Sequence, residues 1–239
     1  MIYQCYPSKE DKKNVFLENA YKGFGLEPEV NKLLTRNCPE LSSAANRLQL
    51  TEYACLLWHW RNSNYDTDEW IGTTSIRQSN KFPHRFKNKQ EISELLNKNP
   101  VIAWGQYTLH NQKGEFISLE KSTEVCHPGL TQYMRETLLR FGHELPKEWK
   151  TATTGFFANY WIMTKDLFED FMSFSWPMVS WSLDSIKESD FYKNQPEYKT
   201  VSNAKAVCYF AERLFLVWYL LKGITPHNPG QISQLGHGI

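Results

Sequence analysis

Residues 204–223 read AKAVCYFAERLFLVWYLLKG, and this stretch decides the fold of the chain. Apolar residues recur along it at steps of three and four, which predicts a helix, and further apolar residues fill much of the remaining circumference. A helix that is apolar on nearly all sides is a buried helix. We therefore expect a central helix that the rest of the domain surrounds.

One acidic and one basic residue, Glu212 and Arg213, stand in the middle of this apolar run. Burial of a carboxylate or a guanidinium without a partner costs several kcal/mol or more, and adjacent residues of a helix do not face each other. Each charge therefore needs a partner on another element. Two interpretations stay open: the two residues clamp neighbouring elements or cap an exposed strip, or at least one of them faces a cleft.

The composition of the chain favours one large domain. The 239 residues are 41% hydrophobic and 15% aromatic, which suffices for a substantial core. Lys and Arg together number 27 against 26 Asp and Glu, so no global field attracts nucleic acid, and we expect no nucleic-acid partner. We assign residues 1–223 to the domain and the Pro- and Gly-containing residues 224–239 to a loosely packed tail.

The N-terminal residues, MIYQCYPSKEDKK, lack the apolar core of a secretory signal, so a cytoplasmic location is expected. The charges at Glu212 and Arg213 favour a buried helix over a membrane span, although peripheral contact with a membrane stays open. The cysteines are scattered and form no CxxC motif. We therefore expect reduced thiols rather than disulfides or a zinc site.

Alternating and helical patterns along the chain predict an α/β fold with a mixed central sheet flanked by helices. Strands are predicted at residues 2–6, 70–76, 101–109, 115–119 and 156–163. Helices are predicted from Ser42 or Ser43 to about residue 62, and at residues 91–97, 130–141 and 165 to about 176. Glycines favour a loop at residues 21–25, and the polar residues 184–203 are expected to form a surface excursion.

Polar residues beside the predicted strands are candidates for a ligand site. The strand at residues 70–76 ends in Arg77 and Gln78, and open α/β sheets bind ligands at the carboxyl ends of their strands. Asn159 is the only amide in the aromatic run FFANYWIM. A backbone group or a ligand hydroxyl must therefore bond it.

Two further segments have a charged composition that fits phosphate ligands. Asp66-Thr67-Asp68 has the letters with which many sugar transferases hold a divalent cation, Mn²⁺ or Mg²⁺, on a nucleotide diphosphate. The motif precedes an apolar strand rather than following one, which favours a solvated acidic turn. The basic and aromatic residues 81–89, KFPHRFKNK, fit either a phosphate-binding or lipid-binding patch or a surface loop.

Several short stretches occur in a fixed order along most of the chain. They are YKGFG at 21–25, LTE and WRN within 50–62, WIGTTSIR at 70–77, NYWIM at 159–163 and AERLF at 211–215. Together they resemble the blocks of a bacterial family of unknown function that is encoded in capsular and exopolysaccharide gene clusters and is often called glycosyltransferase-like. More distantly, a strand with Trp-x-x-hydroxyl and a Glu at the start of a late aromatic segment resemble inverting sugar transferases of the GT-A type that work without a metal, which implies a single-domain nucleotide-sugar transferase fold of that type. Residues 75–78, Ser-Ile-Arg-Gln, stand where the family has His-Tyr-Arg-Arg.

The resemblance implies a hexosyl- or pentosyltransferase that moves a sugar from a nucleotide-sugar donor to a hydroxyl of a glycan or lipid-linked glycan in surface polysaccharide biosynthesis. Such a reaction needs a base at the acceptor hydroxyl and positive charge on the departing diphosphate. Glu212 is the candidate base. Arg77 and Arg213 are the candidates for the diphosphate, because a guanidinium fork matches phosphate oxygens. Asn159 and Trp161 are the candidates for the sugar hydroxyls and for the apolar face of the sugar ring.

A second hypothesis belongs to another functional class. The altered block at residues 75–78 and the abundant tryptophans suit a catalytically inactive module that binds a glycan or a nucleotide on a transferase fold. Tight nucleotide binding would favour the enzyme, whereas glycan binding alone would favour the module.

Overall fold

The computed structural model describes residues 1–62, 69–78, 82, 84–193 and 206–230 with their side chains, and the backbone of residues 233–236. The strands are β1 (Ile2–Tyr6), β2 (Tyr21–Gly25), β3 (Trp70–Ser75), β4 (Val101–Ala103), β5 (Gln106–His110), β6 (Thr154–Phe156), β7 (Trp161–Thr164) and β8 (Ser233–Gly236). The helices are α1 (Ala44–Leu50), α2 (Tyr53–Asn62), α3 (Lys89–Leu96), α4 (Leu119–Cys126), α5 (Leu130–Arg140), α6 (Lys165–Ser185), α7 (Asp190–Lys193) and α8 (Ala206–Leu221).

Five of these strands form a mixed sheet in the order β2-β1-β3-β7-β4. Strand β1 pairs in parallel with both β2 and β3, whereas β7 runs antiparallel to β3 and β4. The chain leaves β1 for β2 on one side and later returns to form β3 on the other side of β1. This reversal is a topological switch point, and it leaves a crevice at the carboxyl ends of β1 and β3. The predicted α/β domain with a mixed sheet and flanking helices is confirmed.

The apolar run around Glu212 and Arg213 forms the buried helix α8, as predicted. Its Phe215 ring stacks on Trp161 of β7 at a centroid distance of 5.7 Å, and its Trp218 indole N–H donates a 2.7 Å hydrogen bond to Asp170 of α6. Helix α6 lies against both α8 and the sheet, and it continues through Pro177 to Ser185, well beyond its predicted end. Helices α6 and α8 therefore cover one face of the sheet with aromatic side chains.

Two predicted strands are each divided between two sheets. Gly105, which has a φ of +78°, separates β4 from β5. The position favours glycine, because a Cβ there would lie 2.5 Å from the Phe82 ring. The predicted strand at residues 156–163 is likewise divided into β6 and β7. The second pieces build a smaller sheet in the order β6-β5-β8.

The remaining local predictions need three corrections. Residues 21–25 form strand β2 rather than a loop, since they pair in parallel with β1 along its whole length. Residues 115–119 form no strand, and only Phe116 makes an isolated bridge to His110 before α4 begins. The predicted helix that starts at Ser43 is divided at Thr51 into α1 and α2, although Ser43 caps α1 as expected.

The tail at residues 224–239 was expected to be loosely packed, and its described part is paired instead. The His227 N–H donates a 2.8 Å hydrogen bond to the Val101 carbonyl, and His227 bridges to Ile102. Strand β8 adds to the smaller sheet in parallel with β5. Among the described residues, no helix is long and apolar enough to cross a bilayer.

Candidate functional site

The crevice at the carboxyl ends of β1 and β3 opens into a cavity of about 660 Å³. The segment after β1 supplies Asp11, Lys13 and Glu18, and the segment after β3 supplies Arg77. Arg85, from the basic stretch before α3, completes the lining. We call this cavity the cation cleft, because three cationic side chains line it against two acidic ones. Its size suits a small ligand, and its charge suits an anionic one.

The three cations are held in different ways. The Arg85 guanidinium lies 3.8 Å from the centre of the Phe16 ring and 3.8 Å from a Glu18 carboxylate oxygen. Arg77 and Lys13 are exposed, and within the described residues their side chains make no ion pair. The predicted diphosphate ligand Arg77 thus lies at the switch point with its charge uncompensated, which leaves it able to bind a phosphate.

A pair of hydroxyl groups connects the cation cleft to the interior of the sheet. The Arg77 backbone N–H donates a 3.2 Å hydrogen bond to Ser75 Oγ, and Ser75 Oγ is hydrogen bonded to the Tyr160 hydroxyl. Burial raises the pKa of Tyr160, and the negative charges of Glu52 and Glu212 raise it further. Both carboxylates therefore lie near enough to the Tyr160 hydroxyl for their charges to act on it.

Glu212 and Arg213 contact each other, although adjacent helix positions were expected to point apart. Arg213 Nη1 lies 3.6 Å from a Glu212 carboxylate oxygen, and the guanidinium lies 4.5 Å from the centre of the Phe157 ring. The Cys208 thiol donates a 3.7 Å hydrogen bond to the other Glu212 oxygen. The side chain of Glu212 is 19% exposed and that of Arg213 only 5%. The carboxylate of Glu212 is thus partly exposed, whereas the guanidinium of Arg213 is buried.

This arrangement changes what Arg213 can do. Burial lowers the pKa of its guanidinium, and the charge of Glu212 opposes that effect. Among the described residues, no contact joins Arg213 to Arg77 or to the cation cleft. Arg213 is thus the buried partner of Glu212, and it is not among the residues that line the cation cleft with Arg77.

The two candidate sugar ligands lie in the interior. Trp161 is 0% exposed, and its ring contacts Phe168, Phe171 and Phe215, so it presents no face to a sugar. Asn159 is 1% exposed, and within the described residues neither its amide nitrogen nor its amide oxygen has a hydrogen-bond partner. The bond that the sequence analysis required for Asn159 is therefore absent from the described structure.

Sequence reasoning missed several residues that the topology brings to this site. Glu52, within the LTE stretch, lies at the junction of α1 and α2, and Tyr160 lies within NYWIM. Tyr107 and Phe157 are half-buried rings whose centroids are 6.1 Å apart, and the charge of Glu212 adds to burial in raising the pKa of Tyr107. The available signal was the basic character around Arg85 and the order of the short stretches.

The proposed metal ligands Asp66 and Asp68 lie outside the described residues, as do positions 81 and 83 of the basic segment. Over the ranges with described side chains, no group of three or more His, Cys, Asp or Glu side chains is placed to hold a metal ion. The described part of the site therefore consists of the cation cleft, the hydroxyl groups of Ser75 and Tyr160, and the carboxylates whose charges act on Tyr160.

The fold has a counterpart among solved structures. The apo structure of WbbM, a bifunctional glycosyltransferase, superposes with a TM-score of 0.53 and 14% sequence identity over 99% of this chain and 45% of that one. This chain thus spans less than half the length of the WbbM chain. At such low identity the likeness shows the fold alone. No protein-family model and no curated protein matches the chain.

Proposed function

We propose that this chain is a glycosyltransferase that moves a sugar from a nucleotide-sugar donor to a hydroxyl of a glycan. One observation carries the proposal: a cation cleft lies at the switch point beside Ser75, whose hydroxyl is hydrogen bonded to Tyr160, and the charges of Glu52 and Glu212 act on that tyrosine by raising its pKa. A sugar transfer needs these two kinds of charge on opposite sides of one carbon atom. The fold-level likeness to WbbM and the order of the short sequence stretches support the same class of reaction.

In the proposed reaction the cations hold the donor diphosphate. Arg77, Arg85 and Lys13 neutralise the negative charge that accumulates on the diphosphate as its bond to the anomeric carbon breaks. That electron pair leaves with the diphosphate oxygen. A divalent cation held by Asp66 and Asp68 would supply further neutralisation when bound.

The carboxylate of Glu212 takes the proton of the acceptor hydroxyl. As the proton leaves, the acceptor oxygen forms the new bond to the anomeric carbon. Arg213, buried beside Glu212 with Nη1 3.6 Å from a carboxylate oxygen, fixes the orientation of the carboxylate. We therefore propose for Arg213 a positioning role in place of the phosphate contact assigned from the sequence.

The finer assignments rest on the resemblance to the capsular and exopolysaccharide family. We propose a GT-A-type donor site, and an acceptor glycan, free or lipid-linked, of surface polysaccharide biosynthesis. Transfer at the cytoplasmic side with peripheral contact to the membrane fits such an acceptor. Asn159, whose buried amide lacks a partner in the described structure, is the proposed ligand of an acceptor or donor hydroxyl.

Nucleotide binding tests the cation cleft. Isothermal titration calorimetry with UDP, GDP, CDP and dTDP should find one that binds, and Arg77→Met or Arg85→Met should weaken that affinity by about tenfold or more. Arg140→Met is the matched control, since Arg140 also stacks on an aromatic ring, 5.1 Å from the centre of Trp181, but lies at the end of α5. Absence of binding by the wild-type chain would refute the proposal.

Transfer activity tests Glu212. Glu212→Gln keeps the size of the side chain but cannot take a proton, so we expect the rate of transfer to fall about a hundredfold or more, with nucleotide affinity unchanged. A turnover equal to that of the wild type would remove Glu212 from the role of base. The measurement is release of nucleoside diphosphate in the presence of a glycan acceptor.

The competing function is a binding module that has lost its chemistry. The specific observation in its favour is that Glu212 is already engaged by Arg213 and Cys208, which makes it a less available base. A module would bind the nucleotide or a glycan and release no diphosphate under any acceptor condition. The same release assay therefore separates the two functions.

A further inference from the structure

A second cavity, of about 380 Å³, lies beside β4 and the start of β5, and the proposed reaction has not used it. Its polar side chains come from three segments: Asn99 precedes β4, Gln106 begins β5, and Thr225, His227 and Asn228 belong to the tail after α8. We call it the amide cavity, because side-chain amides supply three of these five polar groups. Among the described residues that line it, none is Asp, Glu, Lys or Arg. It therefore suits a neutral, polar ligand, in contrast to the cation cleft.

The tail side of the amide cavity is fixed to both sheets. The backbone of His227 makes two hydrogen bonds to β4, of 2.8 and 2.9 Å. The Asn228 amide nitrogen lies 3.5 Å from Gln106 Oε1 on β5, and the Asn228 amide oxygen accepts the Gly230 N–H at 3.2 Å. The wall is thus ordered before a ligand arrives, which reduces the loss of conformational freedom on binding.

Several polar groups of the amide cavity have no partner in the protein. Within the described residues the side chains of Asn99 and Thr225 and the imidazole of His227 make no hydrogen bond. Amide and hydroxyl groups can both donate and accept a hydrogen bond. A ligand with several hydroxyl groups, each of which also donates and accepts, is therefore a suitable partner for this lining.

The amide cavity and the cation cleft are separate, but one segment of the chain contacts both. In the part of the chain that the structure describes, no residue lines both cavities. His84 adjoins the amide cavity, because a Cβ at Gly230 in its lining would lie 3.9 Å from the Cβ of His84. The next residue, Arg85, lines the cation cleft. A glycan in the amide cavity can therefore be bound beside a nucleotide in the cation cleft without displacing it.

We infer, on the basis of the proposed function, that the amide cavity binds neutral sugar units of the acceptor glycan. Amide side chains pair with the hydroxyl groups of such units, and the lining holds no Arg or Lys that would favour a phosphate. Because the cavity is separate from the cleft proposed for the donor, the sugar units in it lie away from the reacting hydroxyl. Their contacts are the same before and during the reaction, so they lower the KM for the acceptor and leave kcat unchanged.

The test uses two substitutions that remove no hydrogen bond of the described structure. Asn99→Ala deletes an amide and Thr225→Val a hydroxyl, so both variants should fold like the wild type. The probes are neutral tetrasaccharides of glucose, galactose, mannose and N-acetylglucosamine, and titrations followed by NMR give their dissociation constants. Each single variant should weaken at least one tetrasaccharide by about three- to tenfold, and the double variant by about tenfold or more. Asn97→Ala is the matched control, since Asn97 is an exposed amide two residues from Asn99 that does not line the cavity.

Two further measurements identify the role of the site. The affinity of the double variant for the nucleoside diphosphate should stay within about twofold of the wild-type value, because the cation cleft is unchanged. With the tetrasaccharide as acceptor, release of nucleoside diphosphate should show a KM raised about tenfold and an unchanged kcat. A lowered kcat with an unchanged KM would overturn the inference.

The remaining outcomes distinguish the inference from the proposed function. Wild-type protein that binds a nucleoside diphosphate but none of the tetrasaccharides would overturn the inference and leave the proposed function standing. Equal tetrasaccharide affinities for the wild type and the double variant would do the same. Tetrasaccharide binding that the double variant weakens, in a chain that binds no nucleoside diphosphate, would refute the proposed function and support the amide cavity as the glycan site of a binding module.

Discussion

Replacement of His59 by phenylalanine tests how the core accommodates a buried imidazole. His59 is 2% exposed, its ring centroid lies 3.7 Å from that of Tyr3, and the rings of Phe24 and Trp58 complete its surroundings. Within the described residues neither ring nitrogen has a hydrogen-bond partner. Burial, helped by the positive charge of Lys22, lowers the pKa of His59 from 6.5 to about 3.

This lowered pKa makes stability depend on pH. Between pH 6.5 and about 3 the imidazole is protonated in the unfolded chain and neutral in the folded chain, so acid stabilises the unfolded state. The contribution of the neutral, buried His59 to stability is fully present above the pKa of the histidine in the unfolded chain, and it is lost as the pH falls below that value. Each pH unit in this window removes about 1.4 kcal/mol from the free energy of unfolding, or about 2 kcal/mol from pH 6.5 to pH 5.

Urea denaturation followed by tryptophan fluorescence, from about pH 8 to pH 5, measures the effect. His59→Phe should equal or exceed the wild type in stability at the upper pH, because apolar atoms replace two polar atoms that lack partners. At the lower pH the free energy of unfolding of the variant should exceed that of the wild type by about 2 kcal/mol. His143→Phe, which removes a half-buried imidazole beside Phe174, controls for the loss of a histidine elsewhere. Parallel pH curves for the wild type and His59→Phe would refute the reasoning.

Two further substitutions test the fold around the site. Gly105→Ala should lower the free energy of unfolding by about 1–3 kcal/mol in urea titrations, because the residue has a φ of +78° and its Cβ would lie 2.5 Å from Phe82; an unchanged midpoint would contradict this packing. Trp161→Phe should cost about 1–2 kcal/mol of stability, since the ring is buried against Phe215, yet it should leave the affinity for nucleotide sugars within about twofold. Loss of sugar affinity without loss of stability would restore the role assigned to Trp161 from the sequence.

The elements that are best predicted from the sequence are those with a strong local pattern of apolar or β-branched residues. Helix α8 is predicted because its apolar residues cover the whole circumference, and β3 is predicted from a β-branched run. Strand β2 is missed because Tyr21-Lys-Gly-Phe-Gly25 looks like a loop when it is considered alone. Its extended conformation depends on pairing with β1, from which residues 7–20 separate it along the chain. A local sequence pattern does not show which distant segment a strand will pair with.

The site is harder to predict, because it is assembled by topology. Arg77 could be selected from its position after a strand, whereas Glu52 is one acidic residue at the start of a helix and has no distinguishing pattern. The environment of a side chain cannot be inferred from its type either. Arg213 and Trp161 have the chemistry of ligand contacts, yet both are buried, Arg213 against Phe157 and Trp161 against Phe215.

The pairing of β8 with β5 has a practical consequence for work with this protein. Strand β5 is hydrogen bonded on one side to β6 and on the other to β8, which comes from residues 233–236. A chain shortened before Ser233 would leave the backbone N–H and C=O groups along one side of β5 without partners. Such a row of groups is a template for strands of other molecules, so C-terminal truncation should promote self-association.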